Sequence, residues 1–139
     1  DEARLGSDLL QLLLSGVIEI WPQIAIPTAT DIGATPRAWP LALQQARAIP
    51  DGSAGVVTGM RHEGVGLDPF SVRVLALLDG HHDRSAILDA LEPLFVAGTL
   101  NVNRDGKPVA DPILRRGMLV TQLGNVLHNM QRFALIMRA

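Results

Sequence analysis

The stretch Leu67-Asp68-Pro69-Phe70-Ser71-Val72-Arg73-Val74-Leu75-Ala76-Leu77-Leu78-Asp79-Gly80-His81-His82-Asp83-Arg84-Ser85-Ala86-Ile87-Leu88-Asp89-Ala90-Leu91 decides the fold, because it reads as two short helices joined by a tight turn. Asp68 is placed to accept from the free amides of a first helical turn. Pro69 follows at the first helical position, where a missing N–H costs nothing. Phe70, Val74, Leu77 and Leu78 then recur at helical spacing. Gly80 supplies a left-handed stop. Asp83 caps the second helix, whose apolar stripe is Ile87, Leu88, Leu91, Leu94 and Phe95, and Gly98 ends it. This is the helix-turn-helix half of a winged-helix pattern.

Downstream, Leu100-Asn101-Val102-Asn103 and Lys107-Pro108-Val109-Ala110 flank Arg104-Asp105-Gly106. Asp-Gly between two short β-like runs predicts a hairpin, which would be the wing. Pro108 confines its second strand to an edge. Asp111-Pro112 repeats the cap-then-proline start and opens a helix to about residue 132. Ile113, Gly117, Val120, Leu123, Gly124, Leu127 and Met130 share one face of it. Glycine inside a helix costs about 1 kcal/mol relative to alanine, so two on one face predict a closely packed neighbour. Phe133 to Met137 either prolongs this helix or adds a last strand.

Upstream, residues 3–15 form a leucine-rich helix. Leu5, Leu9, Leu12 and Leu13 mark one face and Leu10 and Leu14 a second, a pattern that predicts burial on two sides. Val17-Ile18-Glu19-Ile20-Trp21 reads as a strand ended by Pro22, and residues 22–37 as a surface loop. Residues 38–48 suggest a short helix with Leu41, Leu43 and Ala46 inward. Pro50-Asp51-Gly52 is a turn, and Val56-Val57-Thr58 and Gly64-Val65-Gly66-Leu67 are short strands. The class is α+β and winged-helix-like: a helix-turn-helix, a small antiparallel sheet with a β-hairpin wing, an extra N-terminal helix and a long C-terminal helix. We read one domain over residues 1–139, with a helix, strand and loop subregion at 1–60 and the winged-helix core at 61–139.

Composition narrows the function classes. Hydrophobic residues make up 47% of the 139, enough for a sizeable core, while aromatics at 4% leave that core to Leu, Val, Ile and Ala. A net charge of −2 argues against a general polyanion binder, which needs clustered Lys and Arg. Without cysteine there is no disulfide, thiolate metal site or Cys nucleophile. No apolar run reaches the 18 residues of a membrane span, and Leu9 to Ile20 lacks the basic leader of a signal peptide. A cytoplasmic location is expected. The absence of an initiator Met suggests a segment cut from something longer.

The sequence offers little chemistry. His81-His82-Asp83 with a distant His62 or His128 invites a metal site, but adjacent histidines diverge and no ligand spacing supports them. A solvated turn is the expectation. Arg61-His62-Glu63 orders a turn by ion pairing or meets a partner. Asp68, Asp83 and Asp111 are accounted for by capping, and Asp79 should bond the turn backbone beside Gly80. There is no nucleophile elbow, dinucleotide fingerprint or phosphate loop. We therefore expect no catalytic, cofactor-binding or metal residues. A DNA-reading second helix should be basic, yet residues 61–97 hold six acids (Glu63, Asp68, Asp79, Asp83, Asp89, Glu92) against three bases (Arg61, Arg73, Arg84). Arg104, Lys107, Arg115, Arg116, Arg132 and Arg138 lie later. Nucleic acid is thus disfavoured, and a winged-helix DNA-binding transcriptional regulator stands as the alternative. The wing edge could take an extended peptide by strand addition. The second faces of the helices at 3–15 and 111–132 could pack on parts of a larger chain or on a dimer mate.

One resemblance spans nearly the whole chain. Leu9-Leu10-Gln11-Leu12-Leu13-Leu14-Ser15-Gly16-Val17-Ile18-Glu19, Pro36-Arg37-Ala38-Trp39-Pro40-Leu41, Arg61-His62-Glu63, Leu67-Asp68-Pro69-Phe70 and Leu77-Leu78-Asp79-Gly80 follow in order. Together they resemble the C-terminal part of bacterial SAM-dependent methyltransferases, which carry a methyltransferase regulatory domain and a C-terminal winged-helix domain. That family includes protein lysine methyltransferases. A fainter similarity is to small winged-helix peptide-binding modules. The matching motifs are structural, and the family's usual Thr and basic residue after Leu-Leu-Asp-Gly are replaced by His81-His82. The resemblance implies a non-catalytic accessory domain whose partners are a catalytic domain in cis and a protein substrate, with a homodimer also open. SAM would bind the catalytic domain, outside these residues. The residues expected to meet a partner are Arg61, His62, Glu63, His81, His82, Arg104 and Asp105.

Overall fold

The computed structural model describes residues 2–15, 31–101, 103–104 and 107–137. The expected strand at 17–21 and most of the loop at 22–37 lie outside those residues, as do Asp105 and Gly106 of the wing. Described elements run α1 (Glu2–Leu14), α2 (Pro40–Ala48), β1 (Gly55–Thr58), β2 (Gly64–Leu67), α3 (Pro69–Leu77), α4 (Arg84–Val96), β3 (Asn103–Arg104), β4 (Lys107–Pro108) and α5 (Pro112–Arg132).

The helix starts form as their side chains dictate. The Asp68 carboxylate accepts from the Ser71 amide at 2.9 Å, Asp83 from the Ala86 amide at 2.8 Å, and Asp111 from the Ile113 amide at 2.9 Å. Gly80 and Gly98 both sit in the left-handed region, at φ 87° and 73°, where a side chain would be strained. α3 and α4 are thus held apart by a turn rather than fused. Phe70 and Phe95 meet with ring centroids 6.2 Å apart, tying the start of α3 to the end of α4.

The core is built from α2, α3, α4, α5 and the residues after α5. Val72, Val74, Leu75, Leu78, Ile87, Leu91, Leu119, Leu127, Leu135 and Ile136 are fully buried. α3 buries more than its expected stripe, because Val72 and Leu75 are covered while Leu77 is only half-buried. In α2 the inward residues are Ala42 and Ala46, and Leu41 is exposed, a correction to the expected face. The small side chains let α2 approach α3 closely, and the two helices exchange arginines. Arg73 of α3 donates to the carbonyls of Ala46 and Ile49 at the end of α2, at 2.8 and 2.5 Å, and to Asp51 at 2.6 Å. Arg47 of α2 donates to the Ala76 carbonyl near the end of α3 at 3.1 Å. Helix ends have carbonyls without intrahelical partners, which these guanidinium groups satisfy.

β1 and β2 pair antiparallel, with Val57 opposite Val65, both buried. β3 and β4 pair with Asn103 opposite Pro108 and Arg104 opposite Lys107, the hairpin the sequence predicts, with Arg104 inside the strand rather than between the strands. After α5 the chain does not stay helical. Ala134 turns at φ 53°, and beyond it the segment forms an isolated bridge between Ile136 and Ala38 rather than the helix extension or full strand the sequence left open. Residues 37–39 lie between this segment and the end of α3: Ala38 donates to Leu78 at 2.7 Å, Trp39 to Leu135 at 2.8 Å, and Met137 to Arg37 at 2.8 Å.

Two expectations fail on burial. Every α1 side chain described is exposed, so among the described residues the leucine helix is not buried on two sides. In α5 the buried face is Leu119, Leu123, Val126, Leu127 and Met130. Ile113 and Val120 are 86% and 54% exposed, and a Cβ added at Gly117 or Gly124 would meet nothing within 4 Å. The expected stripe therefore enters the core in its second half, at Leu123, Leu127 and Met130, while Ile113 and Val120 stay outside it, and no neighbour among the described residues packs closely on its glycines.

Candidate functional site

The residues expected to meet a partner fall into three loops. The first is the α3–α4 turn. Asp79 is its hub: its Oδ1 accepts from the His81 amide at 2.9 Å and faces His82 Nδ1 at 2.9 Å, while its Oδ2 lies 3.6 Å from Arg47 Nη2. The hydrogen bond from His82, reinforced by the His81 amide, lowers the carboxyl from 3.8 to about 2 against the opposing effect of burial. Asp79 thus does more than bond the turn backbone. It also orients the His82 ring, leaving His81 exposed. Among the described residues no group of three or more His, Asp or Glu could hold a metal ion.

The second loop is Arg61-His62-Glu63, which turns out to be the tip of the β1–β2 hairpin. Gly59 donates to the Glu63 carbonyl and His62 to the Gly59 carbonyl, each at 3.0 Å, and His62 sits at φ 59°. This is a type I turn closed by a left-handed residue, a common three-residue hairpin. Backbone bonds order it. No ion pair joins Arg61 to Glu63 among the described residues, which corrects that part of the expectation. The third loop is the wing. Arg104 lies in β3, not at the tip, and Asp105 lies outside the described residues.

These loops do not converge on one site. The first two are linked through backbone: Met60 donates to Ala134 at 3.1 Å, the segment after Ala134 pairs with Ala38, and Arg37 pairs with Asp79. Within the described residues the wing pairs only with itself.

The later arginines also change meaning. Arg115 Nη2 meets Glu92 Oε1 at 2.5 Å and Arg116 Nη1 meets Asp89 Oδ1 at 2.8 Å. The acids of α4 neutralise two of the bases that a nucleic-acid reading of α5 requires.

Two further surfaces stand out, the first of which the sequence already pointed to. One is α1, whose Leu5, Leu9 and Leu12 on one face and Leu10 and Leu14 on the other are between 41% and 80% exposed; Ile113 and Val120 of α5 are exposed as well. Its signal was the excess of leucine over what one core needs. The other is the outer edge of β2, signalled by the alternation of glycine at 64 and 66.

Comparison with known proteins places these features. The family described as "PKMT, C-terminal winged helix domain" matches residues 35–135. Among solved structures, PKMT2 from Rickettsia typhi in complex with AdoHcy superposes with a TM-score of 0.78 at 19% identity, covering 96% of this chain and 26% of that one. A second structure of PKMT2 from Rickettsia typhi gives a TM-score of 0.78 at 18% identity, covering 96% and 27%. The chain spans about a quarter of the length of those chains. No curated protein sequence matches it.

Proposed function

Since this chain belongs to the family of C-terminal winged helix domains of PKMT, the protein lysine methyltransferases, we propose that it is a non-catalytic accessory domain that docks in cis on the catalytic region of such an enzyme. The observation that carries this reading is the exposure of the α1 leucines. Five leucines on the two faces of one short helix are exposed, whereas a self-sufficient domain rarely leaves so much apolar surface in water. The matched family is that of a winged helix domain, not a catalytic one. A partner region much larger than this chain fits both facts.

The methyl donor belongs to that partner region. Both described strand-to-helix steps, β2 to α3 and β4 to α5, close with an Asp-Pro pair whose carboxylate occupies the helix N-terminus. A strand-to-helix cofactor site needs a glycine-rich loop between strand and helix, and neither Leu67-Asp68-Pro69 nor Pro108 to Pro112 holds a glycine. The residues present do not fit it, and no step of methyl transfer is assigned to them.

The role left to this chain is to hold the catalytic region and to present a protein substrate to it, with the α3–α4 turn and the β1–β2 hairpin tip as the exposed loops nearest that task. The test is association of this chain with the purified catalytic region. Leu9→Asp with Leu12→Asp should abolish it while the thermal transition of the chain stays within a few degrees. Unchanged association in that variant sinks the proposal.

A further inference from the structure

The two edges of the β1–β2 hairpin are unlike, and the difference points to a ligand. In an antiparallel pair, residues alternate between those whose N–H and C=O face the partner strand and those whose groups face away. The Gly59 amide bonds to Glu63 across the hairpin, and the Thr58 amide bonds outward to Gln45 Oε1 at 2.6 Å. With the register Val57 to Val65, these two bonds fix the phase. On β1 it is Val56 and Thr58 that face outward, and the Gln45 amide group from α2 caps that edge. On β2 the outward residues are Gly64 and Gly66. Both are exposed, and their outward groups have no partner among the described residues.

Gly66 is not required by this fold, and Gly64 only to the extent that a side chain there would press on Val56. Their φ values lie outside the left-handed region. A Cβ at Gly66 would meet nothing within 4 Å, and one at Gly64 would meet only Val56 Cγ1, at 3.3 Å. Strand glycines weaken a sheet unless another backbone must come close. Edge strands are normally blunted by charge, proline or a bulge, and Gly64-Val65-Gly66-Leu67 carries no charge and no proline.

We propose that the outer edge of β2 receives an extended peptide segment of a partner protein as a third strand. The amides of Gly64 and Gly66 donate to its carbonyls, and their carbonyls accept from its amides. The outer face beside this edge holds one large side chain, Val56, at 67% exposure, flanked by bare glycine backbone. That shelf suits a bulky apolar side chain from the added strand. A second copy of this chain fits less well. A four-residue edge is a strip only about 13 Å long, whereas a stable dimer needs a broad surface of roughly 800 Å² per partner. The proposal goes beyond α1 docking and does not depend on it.

Recognition through backbone is tolerant of sequence, so the probe is a blocked Thr-Val-Thr-Val-Thr pentapeptide, with a counterpart N-methylated at each central residue as control. Titrated into the ¹⁵N-labelled protein, the pentapeptide should shift the Gly64 and Gly66 amide resonances and slow their hydrogen exchange about tenfold, whereas the N-methylated peptide should do neither. Gly66→Pro removes one outward donor at a position where an edge strand tolerates proline. It should weaken binding about tenfold with the rest of the spectrum unchanged. Gly64→Pro is the second such variant, and Leu9→Asp with Leu12→Asp should bind the pentapeptide normally. Unmoved Gly64 and Gly66 resonances overturn the proposal. So does an equal response to the N-methylated peptide, or a shift of these resonances with protein concentration alone, which would assign the edge to a second copy.

Discussion

α1 and the α3–α4 pair are both leucine-rich, and they end in opposite environments. Leu75, Leu78, Ile87 and Leu91 are fully buried, while Leu5, Leu10 and Leu14 of α1 are more than half exposed. Local chemistry does not explain the difference, since all three helices show apolar residues at helical spacing. What separates them is the supply of partners. α3 and α4 face each other, α2, α5 and the extended segment after Ala134. The described residues offer α1 no such surface. An apolar stripe states that a helix must be covered; it does not state by what.

This contrast can be broken most directly in the core. Leu91→Ala should cost about 2–5 kcal/mol in urea unfolding, because a fully buried leucine leaves a cavity. Leu9→Ala should fall within about 0.5 kcal/mol. Comparable losses at the two sites would mean α1 is covered after all. Next in size is Arg73→Met. It strips the bonds to the Ala46 and Ile49 carbonyls and should cost about 1–3 kcal/mol, whereas Asp51→Asn, at the solvent end of the same pair, should cost about 0–1 kcal/mol. Asp68→Ala removes the cap of α3 and should cost about 1 kcal/mol. Gly117→Ala sharpens the comparison by sign. It should stabilise the isolated chain by about 0.5–1 kcal/mol, since nothing fills the space and the helix gains propensity. It should weaken association if the flank of α5 joins α1 in docking.

The smallest effect is set by pH. The folded-state carboxyl of Asp79 titrates at about 2, below its ordinary 3.8. Its contribution is therefore complete above pH 3.8 and is lost as pH falls from there toward 2. Asp79→Asn should flatten the acid-side loss of stability in that window. A wild-type slope there in the variant would show that the bond to His82 adds nothing.

Much of the fold was legible because it rests on short-range chemistry. Asp68-Pro69, Asp83 and Asp111-Pro112 each state a helix start, Gly80 and Gly98 each state a stop, and Asp105-Gly106 between two β-like runs states a hairpin. The β1–β2 hairpin was legible only as two strands, because its turn places a histidine, not a glycine, in the left-handed position. The buried face of α5 was legible in its second half, through Leu123, Leu127 and Met130, but not in its first, where Ile113 and Val120 stay exposed and Leu119 is buried instead. Both sets are apolar, and only tertiary packing chooses between them. Of the candidate site, the His81-His82 turn was legible as a solvated turn. Its tie to Arg47 was not, since it joins residues 32 positions apart. The pairing of Arg115 and Arg116 with Glu92 and Asp89 was hidden for the same reason.

The central claim is that a self-contained winged helix carries an uncovered leucine helix meant for a partner region. Hydrogen exchange of the chain alone, and then with the catalytic region of a protein lysine methyltransferase, tests it most directly. The account predicts that amides of residues 2–14 exchange rapidly in the chain alone and become protected on addition, while those of 69–96 are slow throughout. Amides of α1 as slow as those of α3 in the chain alone, or equally fast with the catalytic region present, would contradict it.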